Sequence, residues 1–201
     1  MSQQDSKIDS VSYSLGVMIA QNLMDQGFTT LNSSDFALAV SDVMEGKEPR
    51  INAGLANKIL NEEIGNRQAE LHKDNKQAGE KFLEENAKRS EVTVLPNGVQ
   101  YEIIRAADGP TPKLTDKVKV HYHGTLVNGK VFDSSVERGQ SISFPVNGVI
   151  QGWQEVLQIM PVGSKWKAYI PYNMAYGERG AGSDIKPFSA LIFEIELLEI
   201  E

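Results

Sequence analysis

A chain of 201 residues is long enough to bury a substantial core, and its 20 Lys and Arg against 27 Asp and Glu leave a net charge of −7 with no basic footprint for nucleic acid. Divided at residue 90, both parts stay acidic: 10 basic and 14 acidic residues, then 10 and 13. The absence of cysteine excludes disulfides, thiol nucleophiles and thiolate metal sites, and no apolar run approaches the ~18 residues of a membrane span. The polar start, Met1 to Ser10, has no apolar stretch of the kind a secretory leader carries, so a cytoplasmic protein is expected. Only Tyr13, Phe28, Phe36 and Phe82 of the 15 aromatics precede residue 90, which predicts segments of different construction.

Residues 6–26 place Ile8, Val11, Leu15, Met18, Ile19, Leu23 and Met24 at helical spacing, with Gly27 as the C-terminal stop. Ser33-Ser34-Asp35 is read as the cap of a second helix carrying Phe36, Leu38, Val40, Val43 and Met44, stopped by Gly46 and Pro49. Two such helices cannot bury both stripes between themselves. Either they fold onto the rest of the chain or they pair with a second copy. From about Asn52 to Arg89 there is no proline and helix formers dominate; the apolar stripe is strong at both ends, while Gly65 to Glu80 is almost wholly polar. That pattern predicts a solvent-exposed bridging helix, with a bend allowed at Gly54, Gly65 or Gly79. At 1.5 Å per residue, ~37 residues span roughly 55 Å. A strut of that length withholds the first two helices from residues 91–201 and favours a homodimer.

After Arg89 the period changes from helical to alternating. Val99, Tyr101 and Ile103 follow a Pro96-Asn97-Gly98 turn, and Val118, Val120 and Tyr122 alternate with Lys119, His121 and His123. Asn128-Gly129 between apolar runs marks a hairpin, so Tyr122 and Phe132 are expected on neighbouring antiparallel strands with Asp133 just beyond. A short strand at Ser141 to Val146 precedes a brief helix from Gly152-Trp153 through Ile159. Strands through Trp166 to Ile170 and Leu191 to Leu197 flank a loop with Ala175-Tyr176-Gly177. The expected fold is α+β: helices at 1–50, a linking helix at 51–90, and at 91–201 a curved antiparallel sheet of five or six strands on one short helix.

Conventional catalytic machinery is weak. His121 and His123 have a chelating i,i+2 spacing but no third ligand nearby; no nucleophile elbow surrounds Ser134 or Ser135; the Gly177 to Gly182 loop lacks the Lys-Ser/Thr of a phosphate cradle. What remains is Tyr122, Phe132, Phe144, Val149, Ile150, Trp153, Tyr176 and Phe193 with one carboxylate, Asp133. This set reads as the wall of a pocket. No metal and no cofactor are expected.

Five blocks, Val120-His121-Tyr122-His123-Gly124, Val131-Phe132-Asp133-Ser134-Ser135, Val149-Ile150-Gln151-Gly152-Trp153, Ala175-Tyr176-Gly177 and Leu191 to Leu198, resemble the FKBP-type peptidyl-prolyl isomerases in order and spacing over residues 92–201. The segment Asp9 to Asn22 and the long helix resemble the N-terminal region of the macrophage infectivity potentiator subgroup, bacterial 22-kDa relatives included. The resemblance implies a V-shaped homodimer interlocked through the N-terminal helices, with two catalytic domains held apart by the long helices. It implies isomerisation of X–Pro bonds in unfolded or partly folded polypeptides and macrolide inhibitors as possible ligands; the charge balance and the lack of a long apolar run already argue against a nucleic acid or membrane partner. It makes Trp153 the pocket floor, Tyr122, Phe132 and Phe193 its walls, and Val149 and Ile150 its rim, with Phe144 among the substrate-binding residues. The Ile150 N–H and the Tyr176 hydroxyl become donors to the ligand, Asp133 faces the rotating carbonyl, Arg138 anchors Asp133, and Ile185 roofs the site. An alternative reading is a dimeric chaperone whose pocket serves mainly as a proline-binding module.

Overall fold

The structure, a computed structural model, describes residues 8–201; the first seven residues, which carry most of the polar start read above, lie outside the described residues. The chain divides into two compact units, residues 1–71 and 72–201.

In the first unit, α1 (Ser10–Asp25) is capped by Asp9, whose carboxylate accepts from the Ser12 N–H at 2.7 Å. It closes at Gly27, which takes φ +90° while the Phe28 N–H reaches back to Leu23 O. α2 (Ser33–Met44) is capped one residue earlier than its sequence suggests: the Asn32 side chain accepts from the Ser34 and Asp35 N–H groups. An amide oxygen serves this position as well as a hydroxyl does, and the serines become the first helical turn. α3 (Ala53–Leu71) packs its C-terminal half beside the end of α1. Arg67 donates to Gly27 O at 3.1 Å, pairs with Glu63 and lies 4.5 Å from the centre of the Phe28 ring. None of these three helices buries a residue, and Val11, Met18, Met24, Val43 and Met44 are each more than 60% exposed.

The expected bridging helix is interrupted at His72 (φ −112°, ψ 20°), and α4 (Lys73–Asn86) follows. None of Gly54, Gly65 and Gly79 is the break; each lies within a helix. The polar stretch 73–80, expected to be solvated all round, instead belongs to the second unit and packs by one face on the rest of it. Gly79 is buried, and a Cβ there would lie 3.1 Å from that of Ala190, a tight approach that would push Ala190 aside by a few tenths of an ångström. Asn86 and Gln100 are both buried and bond to each other at 2.8 Å, and Gln100 also donates to Leu83 O. Arg89 joins Asn86, the Tyr169 hydroxyl and Glu102. Small and amide side chains supply these contacts, so a hydropathy pattern does not reveal them.

The rest of this unit is an antiparallel sheet of seven strands: β1 (Thr93–Val94), β2 (Gln100–Arg105), β3 (Lys117–Leu126), β4 (Val131–Ser134), β5 (Ile142–Pro145), β6 (Lys165–Ile170) and β7 (Leu191–Ile200). Their order is β1-β2-β6-β7-β3-β4, with β5 also on β3. The two-residue β1 is the strand the sequence pattern missed. In β3 the alternation holds, with Val118, Val120, Tyr122 and Gly124 buried and the residues between them less so. The β3–β4 loop needs positive φ only at Gly129, whose N–H closes on Leu126 O. α5 (Gln151–Leu157) lies across the sheet and buries Trp153, Val156 and Leu157 in the core with Val120, Ile170, Ile195 and Leu197.

Asn86→Ala leaves the buried Gln100 Oε1 without its donor and should destabilise the second unit by about 1–3 kcal/mol. Urea unfolding followed by tryptophan fluorescence reads this directly, because Trp153 and Trp166 both lie in that unit; an unchanged midpoint contradicts the role given to this pair.

Candidate active site

A pocket of about 300 Å³ opens between the sheet and the start of α5, lined by Tyr122, Phe132, Asp133, Phe144, Gly148, Val149, Ile150, Trp153, Tyr176 and Phe193. Each wall comes from a different element, and close backbone approaches hold them together. Gly124 on β3 pairs with Phe193 on β7 and with Asp133 on β4. A Cβ at Gly124 would stand 2.7 Å from Phe132 Cζ and 3.0 Å from Phe193 Cε1, so the bare backbone is what lets both rings lean over it. Gly152 does the same for the floor: a Cβ there would fall 2.3 Å from Ile170 Cγ2, so only glycine lets the first turn of α5 touch β6.

Trp153, 4% exposed, sits at the centre of the rings. Tyr122, Phe144 and Phe193 meet it nearly edge-on, at centroid distances of 5.5, 6.0 and 5.2 Å and interplanar angles of 83–86°. Phe132 meets Phe193 in the same way at 5.4 Å. Edge-to-face pairs of this kind are worth about 0.5–1.5 kcal/mol each beyond the area they bury. They lock the indole among neighbours that are themselves locked.

One side of the rim is charged. The Tyr122 hydroxyl donates to Asp133 Oδ2, Arg138 Nη1 pairs with Asp133 Oδ1, and Arg138 Nη2 donates to the Tyr122 oxygen at 3.1 Å. Burial works to raise the Asp133 pKa, but the bonds from Tyr122 and Arg138 and the guanidinium charge outweigh it and hold the carboxyl below its ordinary value of 3.8. Burial, then the bond to Asp133, raises the Tyr122 phenol. Tyr176 is raised by burial and then by the Asp133 charge, so both phenols keep their protons at neutral pH.

Tyr176 stands on a loop that α4 supports. Lys76 lies 5.6 Å from the Tyr172 ring centre and 5.5 Å from that of Phe188, and Asn75 donates to Pro187 O at 2.6 Å. The Phe188 N–H donates to Gly177 O, and Phe188 holds φ 60°, a conformation costly for a side chain of its size. Nine of the eleven expected residues thus line one pocket, and Arg138 joins it through Asp133. Ile185 does not. It is buried in the core cluster, bridged to Ala181 by two backbone bonds, and is absent from the lining. Gly124, Gly148 and Gly152 were missed; a glycine inside an alternating strand and one just before a helix-start tryptophan were the available clues. Among the described residues, no N–H acceptor pairs with the Ile150 amide and no partner with the Tyr176 hydroxyl, leaving two donors at the rim. His121 and His123 lie across β3 from the pocket, and the described residues contain no group of three or more His, Cys, Asp or Glu suited to a metal ion.

The chain belongs to the FKBP-type peptidyl-prolyl cis-trans isomerases, and it is an enzyme of that class: the model of that family matches residues 109–198, and that of the domain amino-terminal to it matches residues 8–103. The FKBP-type 22 kDa peptidyl-prolyl cis-trans isomerase of Escherichia coli K12 is 46% identical over 193 residues, 94% of this chain and 93% of that protein. The outer membrane protein MIP of Legionella longbeachae is 38% identical over 200 residues, 96% of this chain and 85% of the relative. The crystal structure of FkpA from Escherichia coli superposes with a TM-score of 0.65 at 29% identity, covering 100% of this chain and 99% of that one.

Two measurements test this geometry. Gly124→Ala forces Phe132 and Phe193 apart and should cost about 1–3 kcal/mol of stability while lowering kcat/KM on X–Pro peptides; normal activity contradicts the close approach. The depressed Asp133 pKa means its ion pair stabilises the fold above the ordinary carboxylate value and is lost as pH falls through the depressed one. Arg138→Leu should therefore raise the Asp133 midpoint in an NMR titration; no rise would show that the guanidinium does not set it.

Proposed function

We propose that the pocket catalyses rotation about X–Pro bonds during protein folding by desolvating the amide, without forming a bond to it. Unaided, this rotation crosses a barrier of about 18–20 kcal/mol and takes roughly 10–100 s. Twisting breaks amide resonance, so the carbonyl loses dipole and the nitrogen regains its lone pair. A pocket floored and walled by aromatic rings disfavours the planar, polar ground state more than the twisted one, and that difference is what catalysis needs. The observation that carries the reading is the indole of Trp153 at the centre of edge-on rings in a pocket whose lining has no Ser, Thr, Cys, Lys or His. In it Trp153, Phe132 and Phe193 receive the proline ring, with Tyr122, Phe144, Val149 and Ile150 around them. The Ile150 N–H and the Tyr176 hydroxyl hold the peptide. The Asp133 carboxylate favours the carbon end of the rotating carbonyl over its oxygen.

The protein acts, in this proposal, as a homodimer through its N-terminal helices. Three helices with no buried residue leave most of their large apolar side chains exposed and so available to a second copy. The cytoplasm is the proposed compartment; one relative is named as an outer membrane protein, and cell fractionation decides between them. The chaperone reading shares the dimer and is separated by deletion. Without residues 1–50, an isomerase keeps its activity on short peptides, whereas a holdase loses its suppression of aggregation.

Trp153→Ala should lower kcat/KM by about 10²-fold in a protease-coupled assay, equivalent to about 2.7 kcal/mol of differential binding, with the near-native sheet retained. Full activity would remove the floor from the mechanism. In sedimentation at micromolar concentration the intact chain should run as a dimer; a monomer would end that part of the proposal.

A further inference from the structure

On the side of β3 and β4 away from the pocket, two serines make bonds that the reaction itself does not use. Ladder pairing explains why they are needed. β5 pairs with β3 only as far as Val120, and β4 begins its pairing at His123, so Tyr122 falls in a gap between the two partners. Ser135, fully buried just past β4, fills that gap. Its hydroxyl accepts from the Tyr122 N–H at 2.8 Å and lies 3.3 Å from Tyr122 O and 3.2 Å from His121 Nδ1, while its own N–H donates to Tyr122 O at 3.0 Å. One residue thus serves both backbone groups of Tyr122.

Ser134, 4% exposed, winds the next turn. Its hydroxyl accepts from the Glu137 N–H at 3.1 Å and lies 3.0 Å from His123 Nδ1; its carbonyl accepts from the Arg138 N–H at 3.4 Å. That turn brings the Arg138 guanidinium back over Asp133.

We propose that Ser135 and Ser134 are positioning residues for isomerisation, Ser135 fixing the Tyr122 phenol on Asp133 and Ser134 fixing Arg138 on the same carboxylate. The proposal rests on the reading that Asp133 acts on the substrate carbonyl. Misplacing a group by about 1 Å is enough to cost up to about 10²-fold in rate, and Ser135 is the residue that bonds both backbone groups of Tyr122 in the gap.

A double-mutant cycle on the full chain separates positioning from simple stability. Ser135→Ala should lower kcat/KM by about ten-fold in the otherwise native protein, and by less than about two-fold when Tyr122 is already Phe, because the contact it positions is then gone. Equal losses in both backgrounds would overturn the proposal. If Ser135→Ala does not fold, Ser134→Ala with and without Arg138→Ala runs the same cycle on the other arm, with the same two outcomes. Asp133→Asn is the control: full activity in that variant would refute the reading of Asp133 and the positioning role with it, whereas lost activity there beside a silent Ser135→Ala would refute only the positioning role.

Discussion

The contact on which everything else depends is the one between the first turn of α5 and the middle of β6, where Gly152 meets Ile170 with no space for a methyl group. It sets the depth of Trp153, and the depth of Trp153 sets the pocket. Were the helix one side chain further from the sheet, the indole would lose its edge contacts with Tyr122 and Phe193 and the floor would be open to water. Curvature of the sheet brings the remaining rings around it from β3, β4, β5 and β7. The pocket is therefore the open side of the hydrophobic core, and its shape follows from packing.

Polar groups are kept to the rim, each in a defined protonation state. Burial raises the Tyr122 and Tyr176 phenols, so they remain donors at neutral pH, while Tyr122 and Arg138 keep Asp133 an anion. Tyr122 belongs to both parts: its ring is wall and its hydroxyl is support. That double use explains why its backbone is held so closely on the far side of the sheet. A carboxylate that drifted inward would bring water with it.

How much was legible beforehand depended on whether a residue acts through its side chain or through its backbone. Alternation in β3 and β7 and the glycine turn at 129 revealed the strands, and the ordered aromatic blocks revealed the walls. The glycines at 124 and 152 act by what they lack, which neither hydropathy nor propensity scores. Ile185 was assigned to the roof by its place in a motif, yet its loop folds back on Ala181 and turns it into the core. The docking of α4 was hidden for a different reason: Asn75, Lys76, Gly79 and Asn86 make amide, cation–π and close-packed contacts that look, in sequence, like a solvated helix. The break at His72 has no counterpart in composition at all.

The two units therefore differ in kind. Residues 72–201 bury their own core, whereas the described helices of the first unit leave most of their large apolar side chains exposed within one chain. Catalysis is located in the former, and its central claim is that an amide twists in a dry pocket with no proton in flight and no bond made to carbon. The solvent deuterium isotope effect on kcat/KM for a short X–Pro peptide tests this most directly. The account predicts a ratio near unity; a large normal effect, at the level of rate-limiting proton transfer, would contradict it.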